Sequence, residues 1–132
     1  MLAIGDDHRF SGRTSVEMAE LHRERYCERV MCEFSTYIER LLSDRSVMLE
    51  VVQQSSREDW IQALVRANFG VAFMPISLAR AAQLACLTMI DVPIVRKVSV
   101  LTQAERPSSA AQQAVLESLV AYGWGQGRAE LV

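Results

Sequence analysis

The chain has 132 residues, of which 50% are hydrophobic and 23% are charged, and its formal net charge at pH 7 is −2. This composition favours a globular core over a disordered tail. A nucleic-acid-binding surface usually carries a stripe of basic residues. This sequence shows no such stripe, because its acidic and basic residues are interspersed. We therefore do not expect the chain to bind DNA by itself.

No apolar run reaches the ~20 residues that a membrane-spanning helix needs. Residues 1–7 contain no basic region followed by a long apolar segment, so no secretory signal is predicted. The three cysteines form an odd set, which argues against a disulfide framework and favours a reducing, cytoplasmic compartment. The two histidines do not stand at zinc-ligand spacing with the cysteines, so no metal site is expected.

Short apolar runs alternate with helical patterns, which is typical of an α/β protein whose mainly parallel sheet is flanked by helices. Residues 71–75 (VAFMP) predict a buried parallel strand. Residues 23–30 are ambiguous, although their alternation would suit a strand at a sheet edge. Further strands are predicted at residues 2–4, 48–54, 84–89 and 95–101. Helices are predicted near residues 16–21, 34–42, 60–68 and 77–83, and a last helix is predicted to start at residues 107–109 and to end at residue 123.

Two capping boxes are predicted at helix starts, one formed by Thr14 with Glu17 and one by Ser55 with Glu58. The helix near residues 60–68 and the last helix are both predicted to bury an apolar face. The residues expected in the core from these two helices are Trp60, Ile61, Leu64, Val65, Ala111, Ala114, Val115, Leu119 and Val120.

Four stretches carry a resemblance to a known family. Residues 7–21 resemble a "DHPLA … SLADL" segment, and residues 29–34 resemble the loop that opens the next helix. Residues 56–75 match a helix followed by a "GxGVAxxP" strand, and residues 106–111 match the lead-in to a terminal helix. In this order and spacing, residues 2–122 resemble the distal half of the effector-binding domain of LysR-type transcriptional regulators.

The sequence departs from the family pattern at two places. Arg9 and Phe10 replace the Pro-Leu that follows the histidine. Asn68 stands where much of the family has the first glycine of a Gly-x-Gly turn. Asn68 must therefore adopt the left-handed conformation, which asparagine tolerates better than most residues.

The resemblance implies a periplasmic-binding-protein-like (type 2) subdomain. It implies that residues 2–90 form the distal effector-binding lobe, that residues 91–124 form a return strand and terminal helix completing the first lobe, and that residues 125–132 form a tail. It also implies the effector-binding and oligomerisation portion of a regulator that lacks the winged helix-turn-helix. We therefore expect a cytoplasmic protein without enzymatic activity or cofactor, which binds a small-molecule effector, with a carboxylate as one candidate.

The family binds its effector in a crevice between two lobes, near strand ends and helix N-termini, where free amides attract anions. For Phe73 and Met74 the alternative is a plain core role, and for Arg29 the alternative is a solvated charge at the sheet edge. The positions that the resemblance places on the distal wall of this crevice are Arg29, Met31, Cys32, Glu33, Phe73, Met74 and Pro75.

A thiol-based redox sensor that uses Cys32 and Cys27 is the alternative function. Cys32 precedes a helix, which would favour a thiolate, whereas the neighbouring Glu28 and Glu33 disfavour it. A hydrolase built on Cys32 and the Asp7–His8 pair lacks a supporting local signature, and the chain has no glycine-rich phosphate loop. A free-standing periplasmic-type binding protein is disfavoured because no signal peptide precedes the predicted domain.

A lobe without its partner leaves apolar surface and open strand edges, and such surfaces normally pair with another chain. We therefore expect a homodimer, with exchange of residues 95–122 as one route to it. The residues expected to present this apolar surface are Val98, Val100, Val115, Leu119 and Trp124.

Overall fold

In the computed structural model, short strands alternate with helices along the first 89 residues. The structure describes residues 1–92, 94–95, 98–102 and 109–123. The chain divides into two units, Met1–Arg96 and Lys97–Val132. In the first unit the strands are β1 (Leu2–Ile4), β2 (Ser15–Val16), β3 (Arg25–Arg29), β4 (Glu50–Ser55), β5 (Ala72–Phe73) and β6 (Ala85–Met89). Its helices are α1 (Ser35–Asp44), α2 (Glu58–Arg66) and α3 (Ile76–Ala81), and α4 (Ala110–Ala121) belongs to the second unit.

The strands pair in the order β2-β6-β1-β5, with β3 and β4 forming a second, parallel pair. A parallel bridge between Tyr26 and Val71 joins the two groups, and the Cys27 amide donates to the Val71 carbonyl at 2.8 Å. Residues 71–73 therefore run between β1 and β3. The expected parallel arrangement holds for β2–β6, β3–β4 and this bridge, whereas β1 is antiparallel to both β5 and β6.

Strands β1 and β5 are buried on both faces of the sheet, since successive side chains of a strand point to opposite faces and apolar clusters cover both. Leu2 and Ile4 of β1 pack in one apolar cluster, and Ala3 between them packs in the other. Helix α1 contributes Ile38 to the first cluster, and α2 contributes Ile61 to the second. The two clusters therefore hold α1 on one face of the sheet and α2 on the other.

The first predicted helix is replaced by β2 and a 3₁₀ turn at Met18–Leu21. The capping box at this turn is formed by Glu17 and Glu20, three residues beyond the predicted Thr14 box. The backbone amide of Glu17 donates to the Glu20 carboxylate at 2.9 Å. The prediction at Thr14 was wrong because the chain is still extended at residues 15–16, where it pairs with β6.

The second predicted capping box is also absent. Ser55 Oγ accepts a hydrogen bond from the backbone amide of Arg57 at 3.0 Å instead of from the Glu58 amide. The residue at the N-cap of α2 is Arg57, and its side chain makes no capping hydrogen bond. Ile61 and Val65, which lie four residues apart, form the buried face of α2. Trp60 lies off this face and is 56% exposed, so its predicted core role was wrong.

The second unit contains α4, which begins after Ser109, the last of the three residues predicted to start it. Ser109 Oγ accepts from the Gln112 amide at 3.3 Å, and the Gln112 side chain accepts from the Ser109 amide at 2.9 Å. No residue of α4 is buried, so the predicted core face of this helix was wrong. Its apolar residues surround the helix instead of forming one stripe.

Part of the C-terminal predictions lies outside the described residues. The strand predicted at residues 95–101 is not seen at residues 95 and 98–101, and residues 96–97 are not described. The tail 125–132, Trp124 and residues 106–108 of the family resemblance also lie outside the described part.

Candidate functional site

The carboxyl ends of β3, β4 and β5 meet at one edge of the sheet, because these three segments run parallel. The Val30 amide donates to the Ser55 carbonyl at 3.1 Å, which ties the end of β3 to the end of β4. We call residues 29–35, 55–58 and 73–75 at this edge the strand-end site. Ligands of open α/β sheets bind outside the carboxyl ends of strands, so this edge is the candidate functional site.

Arg29, the last residue of β3, connects the segments of the strand-end site. Its side chain is only 12% exposed and forms an ion pair and a hydrogen bond with the Glu58 carboxylate. Its Nη1 donates to the Phe73 carbonyl oxygen at 3.4 Å and lies 3.5 Å from Cys32 Sγ. Arg29 is therefore anchored between β3, β5 and α2, and is not a solvated edge charge.

Glu58 is a site residue that the sequence reasoning missed, because it was assigned a helix-capping role. Its Oε1 interacts with both Nε and Nη2 of Arg29. Its Oε2 is buried and has no hydrogen-bond partner among the described residues. The available signal was an acidic residue in the first turn of the helix that follows β4.

Residues 31–33 form the loop between β3 and α1. Cys32 Sγ accepts from the Phe34 amide at 3.4 Å and lies 3.9 Å from the Glu33 carboxylate. Met31 has a φ of 59° and is 94% exposed, so its side chain lies in solvent. The structure therefore brings Cys32 to Arg29 but does not bring Met31 there.

Phe73 and Met74 contribute their backbone more than their side chains to the site. The Phe73 ring lies edge-on to the Tyr26 ring, with centroids 5.9 Å apart, and both rings are buried. Met74 packs in the cluster beneath α2, and its amide donates to the Met1 carbonyl at 3.1 Å. Pro75 is half-buried and its carbonyl accepts from the Leu78 amide at the start of α3.

The strand-end site carries more negative than positive side chains. Arg57 forms its own exposed pair with Asp59 at 2.6 Å, and this hydrogen bond lowers the pKa of the Asp59 carboxyl. Glu28 accepts from the Gln54 side chain across the β3–β4 pair. The charged residues in or beside the site are Arg29 and Arg57 against Glu28, Glu33, Glu58 and Asp59.

The cysteines give the redox alternative no support. All three are free, and Cys27 is fully buried in β3 within the cluster beneath α2. Burial raises the pKa of the Cys27 thiol, and burial likewise raises the pKa of Cys86. Because the thiolate is the reactive form, Cys27 is a poor partner for disulfide exchange.

The described ranges contain no group of three or more His, Cys, Asp or Glu side chains that could hold a metal ion. No helix within the described part of the chain is both long and apolar enough to span a membrane.

Among the solved structures that resemble this chain are two domains that hold a small molecule. The regulatory domain of CcmR from Synechocystis PCC6803, in complex with 2-PG, has a TM-score of 0.77 and 18% sequence identity over 91% of this chain. The effector-binding domain of QuiR, in complex with shikimate, has a TM-score of 0.68 and 15% identity over 88% of this chain. The chain spans 60% and 56% of those two structures.

These likenesses confirm the predicted α/β, periplasmic-binding-protein-like fold. A comparison with curated proteins found no match. The sequence of residues 1–124 matches the LysR substrate binding domain, which confirms the resemblance seen in the motifs. This chain therefore belongs to the LysR substrate-binding domain family.

Proposed function

We propose that the chain is the effector-binding and oligomerisation portion of a LysR-type transcriptional regulator, and that its effector binds at the strand-end site. The observation that carries the proposal is Arg29, which is anchored where three strands end and α2 begins. In this proposal the chain acts in the cytoplasm, catalyses no reaction and needs no cofactor. A winged helix-turn-helix outside these 132 residues reads the DNA.

The chemistry of the edge suits a small molecule with a carboxylate. Backbone amides at the first turns of α1 and α2 favour negative charge, and the guanidinium of Arg29 adds a positive charge that attracts a carboxylate. The structures of CcmR and QuiR hold 2-PG and shikimate, each of which carries a carboxylate. The regulator exists in two subunit arrangements. The effector binds one of them more tightly and so shifts the equilibrium toward that arrangement.

Among the residues predicted to line the site, we propose that Arg29 and Cys32 contact the effector through their side chains. Phe73 and Pro75 shape the edge through their backbone, and Glu33 sets its charge. Met31 and Met74 are the weakest candidates, because one points into solvent and the other packs in the core.

We propose further that the oligomer is a homodimer to which the second unit contributes. Helix α4 has no buried residue, and Val98 and Val100 are exposed as well. An exposed groove on α4 is lined by Ala114, Val115, Ser118, Leu119 and Tyr122. A second copy of the chain would remove this apolar surface from water.

A thermal-shift screen of small carboxylates, including shikimate and free amino acids, tests the site. We expect at least one to raise the melting temperature, because a ligand at 100 times its Kd adds about 2.7 kcal/mol of stability. Arg29→Ala should abolish this shift and Arg29→Lys should weaken it, since lysine lacks the planar fork. Arg40→Ala is the matched control, because Arg40 is exposed and pairs only loosely with Asp44, at 3.9 Å.

The site assignment is contradicted if Arg29→Ala, shown by circular dichroism to be folded, retains the full shift. If no carboxylate in the screen stabilises the parent protein, the proposed effector class is wrong.

A further inference from the structure

The hydroxyl of Tyr26 is a hydrogen-bonding group that the fold does not use. Tyr26 belongs to β3, and its side chain packs in the same apolar cluster as Ile38 of α1, with only 8% of the residue exposed. Within the described part of the chain, its hydroxyl has no hydrogen-bond partner. A buried tyrosine usually finds a partner for its hydroxyl, so its absence here requires an explanation.

The Tyr26 hydroxyl is not fully enclosed. Among the described residues, the only side-chain oxygen or nitrogen that is both fully buried and unbonded is Oε2 of Glu58. The unbonded oxygen of Tyr26 therefore keeps some contact with solvent, although its ring is covered. A small molecule at the surface can reach this oxygen while the ring stays in the core.

The Tyr26 hydroxyl lies near the strand-end site. The Tyr26 ring is edge-on to the ring of Phe73, with centroids 5.9 Å apart, and the Phe73 carbonyl oxygen accepts from Arg29 at 3.4 Å. The side chains whose charge acts on the hydroxyl all belong to residues 27–29 of β3 or to the loop that follows this strand. They are Glu28, Cys32, Arg29 and Cys27. The hydroxyl is therefore directed toward the carboxyl end of β3.

The surroundings of the hydroxyl indicate which ligand group it can bind. Burial raises the pKa of Tyr26, so the hydroxyl keeps its proton at neutral pH and is available as a donor. The charge that acts on it most strongly is that of Glu28, which would repel a second carboxylate. An ammonium group has no lone pair with which to accept a hydrogen bond. A neutral hydroxyl group on the ligand avoids both difficulties.

We propose that Tyr26 is a specificity-determining residue, whose hydroxyl selects an effector that carries a neutral hydroxyl group in addition to its carboxylate. The inference rests on the proposed function and names the ligand class, a hydroxy acid. Arg29 attracts the effector carboxylate, and the effector hydroxyl accepts a hydrogen bond from Tyr26. A site that hydrogen-bonds a ligand hydroxyl discriminates against the analogue that lacks it.

The test compares hydroxy acids with acids of the same carbon skeleton that lack the hydroxyl groups. Hydroxy acids are first screened by thermal shift, and the preferred one is compared with its deoxy partner by calorimetry on the full chain. The pairs are shikimate with cyclohex-1-ene-1-carboxylate, L-lactate with propanoate and L-malate with succinate. We expect the preferred hydroxy acid to bind about tenfold more tightly than its partner, which corresponds to one hydrogen bond.

Tyr26→Phe removes the hydroxyl and keeps the ring. It should lower the affinity for the hydroxy acid about tenfold and leave the affinity for the deoxy acid unchanged. The midpoint of urea denaturation should stay that of the parent protein, because the hydroxyl has no partner to lose among the described residues. Tyr37→Phe is the matched control, since Tyr37 lies in α1 outside the strand-end site. It should leave the preference for the hydroxy acid unchanged.

The possible outcomes separate this inference from the proposed function. If carboxylates bind through Arg29 but no hydroxy acid is preferred, or if Tyr26→Phe retains the full preference, the inference is wrong and the proposed function stands. A urea midpoint that falls in Tyr26→Phe also overturns the inference, because the hydroxyl would then have a structural role. If no carboxylate of any kind binds, both fail.

Discussion

Gly70 shows how one residue fixes the approach of two strands. A Cβ at this position would lie 2.8 Å from the Arg25 carbonyl oxygen and 3.1 Å from Cys27 Sγ. The neighbouring Val71 amide donates to that same carbonyl at 2.8 Å, so the backbone cannot move away without breaking the bridge between the two groups of strands. Gly70 therefore fixes the approach of the chain before β5 to the amino end of β3, at the opposite end of that strand from the strand-end site.

Gly70→Ala should lower the free energy of unfolding by about 1–3 kcal/mol, the usual cost of overpacking a tight site. Urea denaturation measures this change. Gly123→Ala is the control, because a Cβ there would meet no atom of the described residues within 4 Å. If the two variants had equal urea midpoints, the strands beside Gly70 would have room to separate and the predicted clash would be absent.

The residue scale also shows what the sequence could and could not predict. Asn68 was expected in the left-handed conformation, and its φ is 55°. Asparagine is one of the few residues that favour this region, so its type carried the information. Met31 also has a positive φ, but methionine gives no such signal. Glu58 was missed for a related reason, because its partner Arg29 lies 29 positions away in sequence.

At the scale of elements, most helices and strands of the first unit were predicted, because the helices have a clear apolar period and most strands are short apolar runs. The antiparallel direction of β1 was not predicted, because side chains alternate in the same way in parallel and antiparallel strands. The capping boxes failed for another reason. Suitable pairs of residues occur at the required spacing in several places, and the competing strand pairing of residues 15–16 decided which pair formed.

Helix α4 supplies the prediction at this scale. Val115 is 58% exposed on a helix with no buried residue, and we expect a second chain to cover it. Size-exclusion chromatography with light scattering should give the mass of a dimer for the parent protein. Val115→Lys should shift it toward the monomer, because a charge at an apolar contact is costly to bury.

The control for this helix is Gln113→Lys, which adds the same charge two residues away, where the side chain can pair with Glu117. It should leave the dimer intact. A parent protein that stays monomeric at high concentration would contradict the proposed oligomer but not the effector site.

At the scale of the whole molecule, the family was predictable because several weak motifs occur in the right order over most of the chain, and residues 1–124 match it. The effector was not predictable, because its identity depends on a few side chains that the fold brings together. The structures of CcmR and QuiR share this fold at 18% and 15% identity while holding different molecules. Fold and ligand therefore have to be argued separately.

The most direct test of this account is an amide map by nuclear magnetic resonance. The isotope-labelled full chain is titrated with the carboxylate that gives the largest thermal shift. The account predicts the largest amide shift changes at residues 29–35, 55–58 and 73–74. Changes concentrated at the opposite ends of the same strands, around residues 23–25 and 48–50, would contradict an effector site at the strand-end edge.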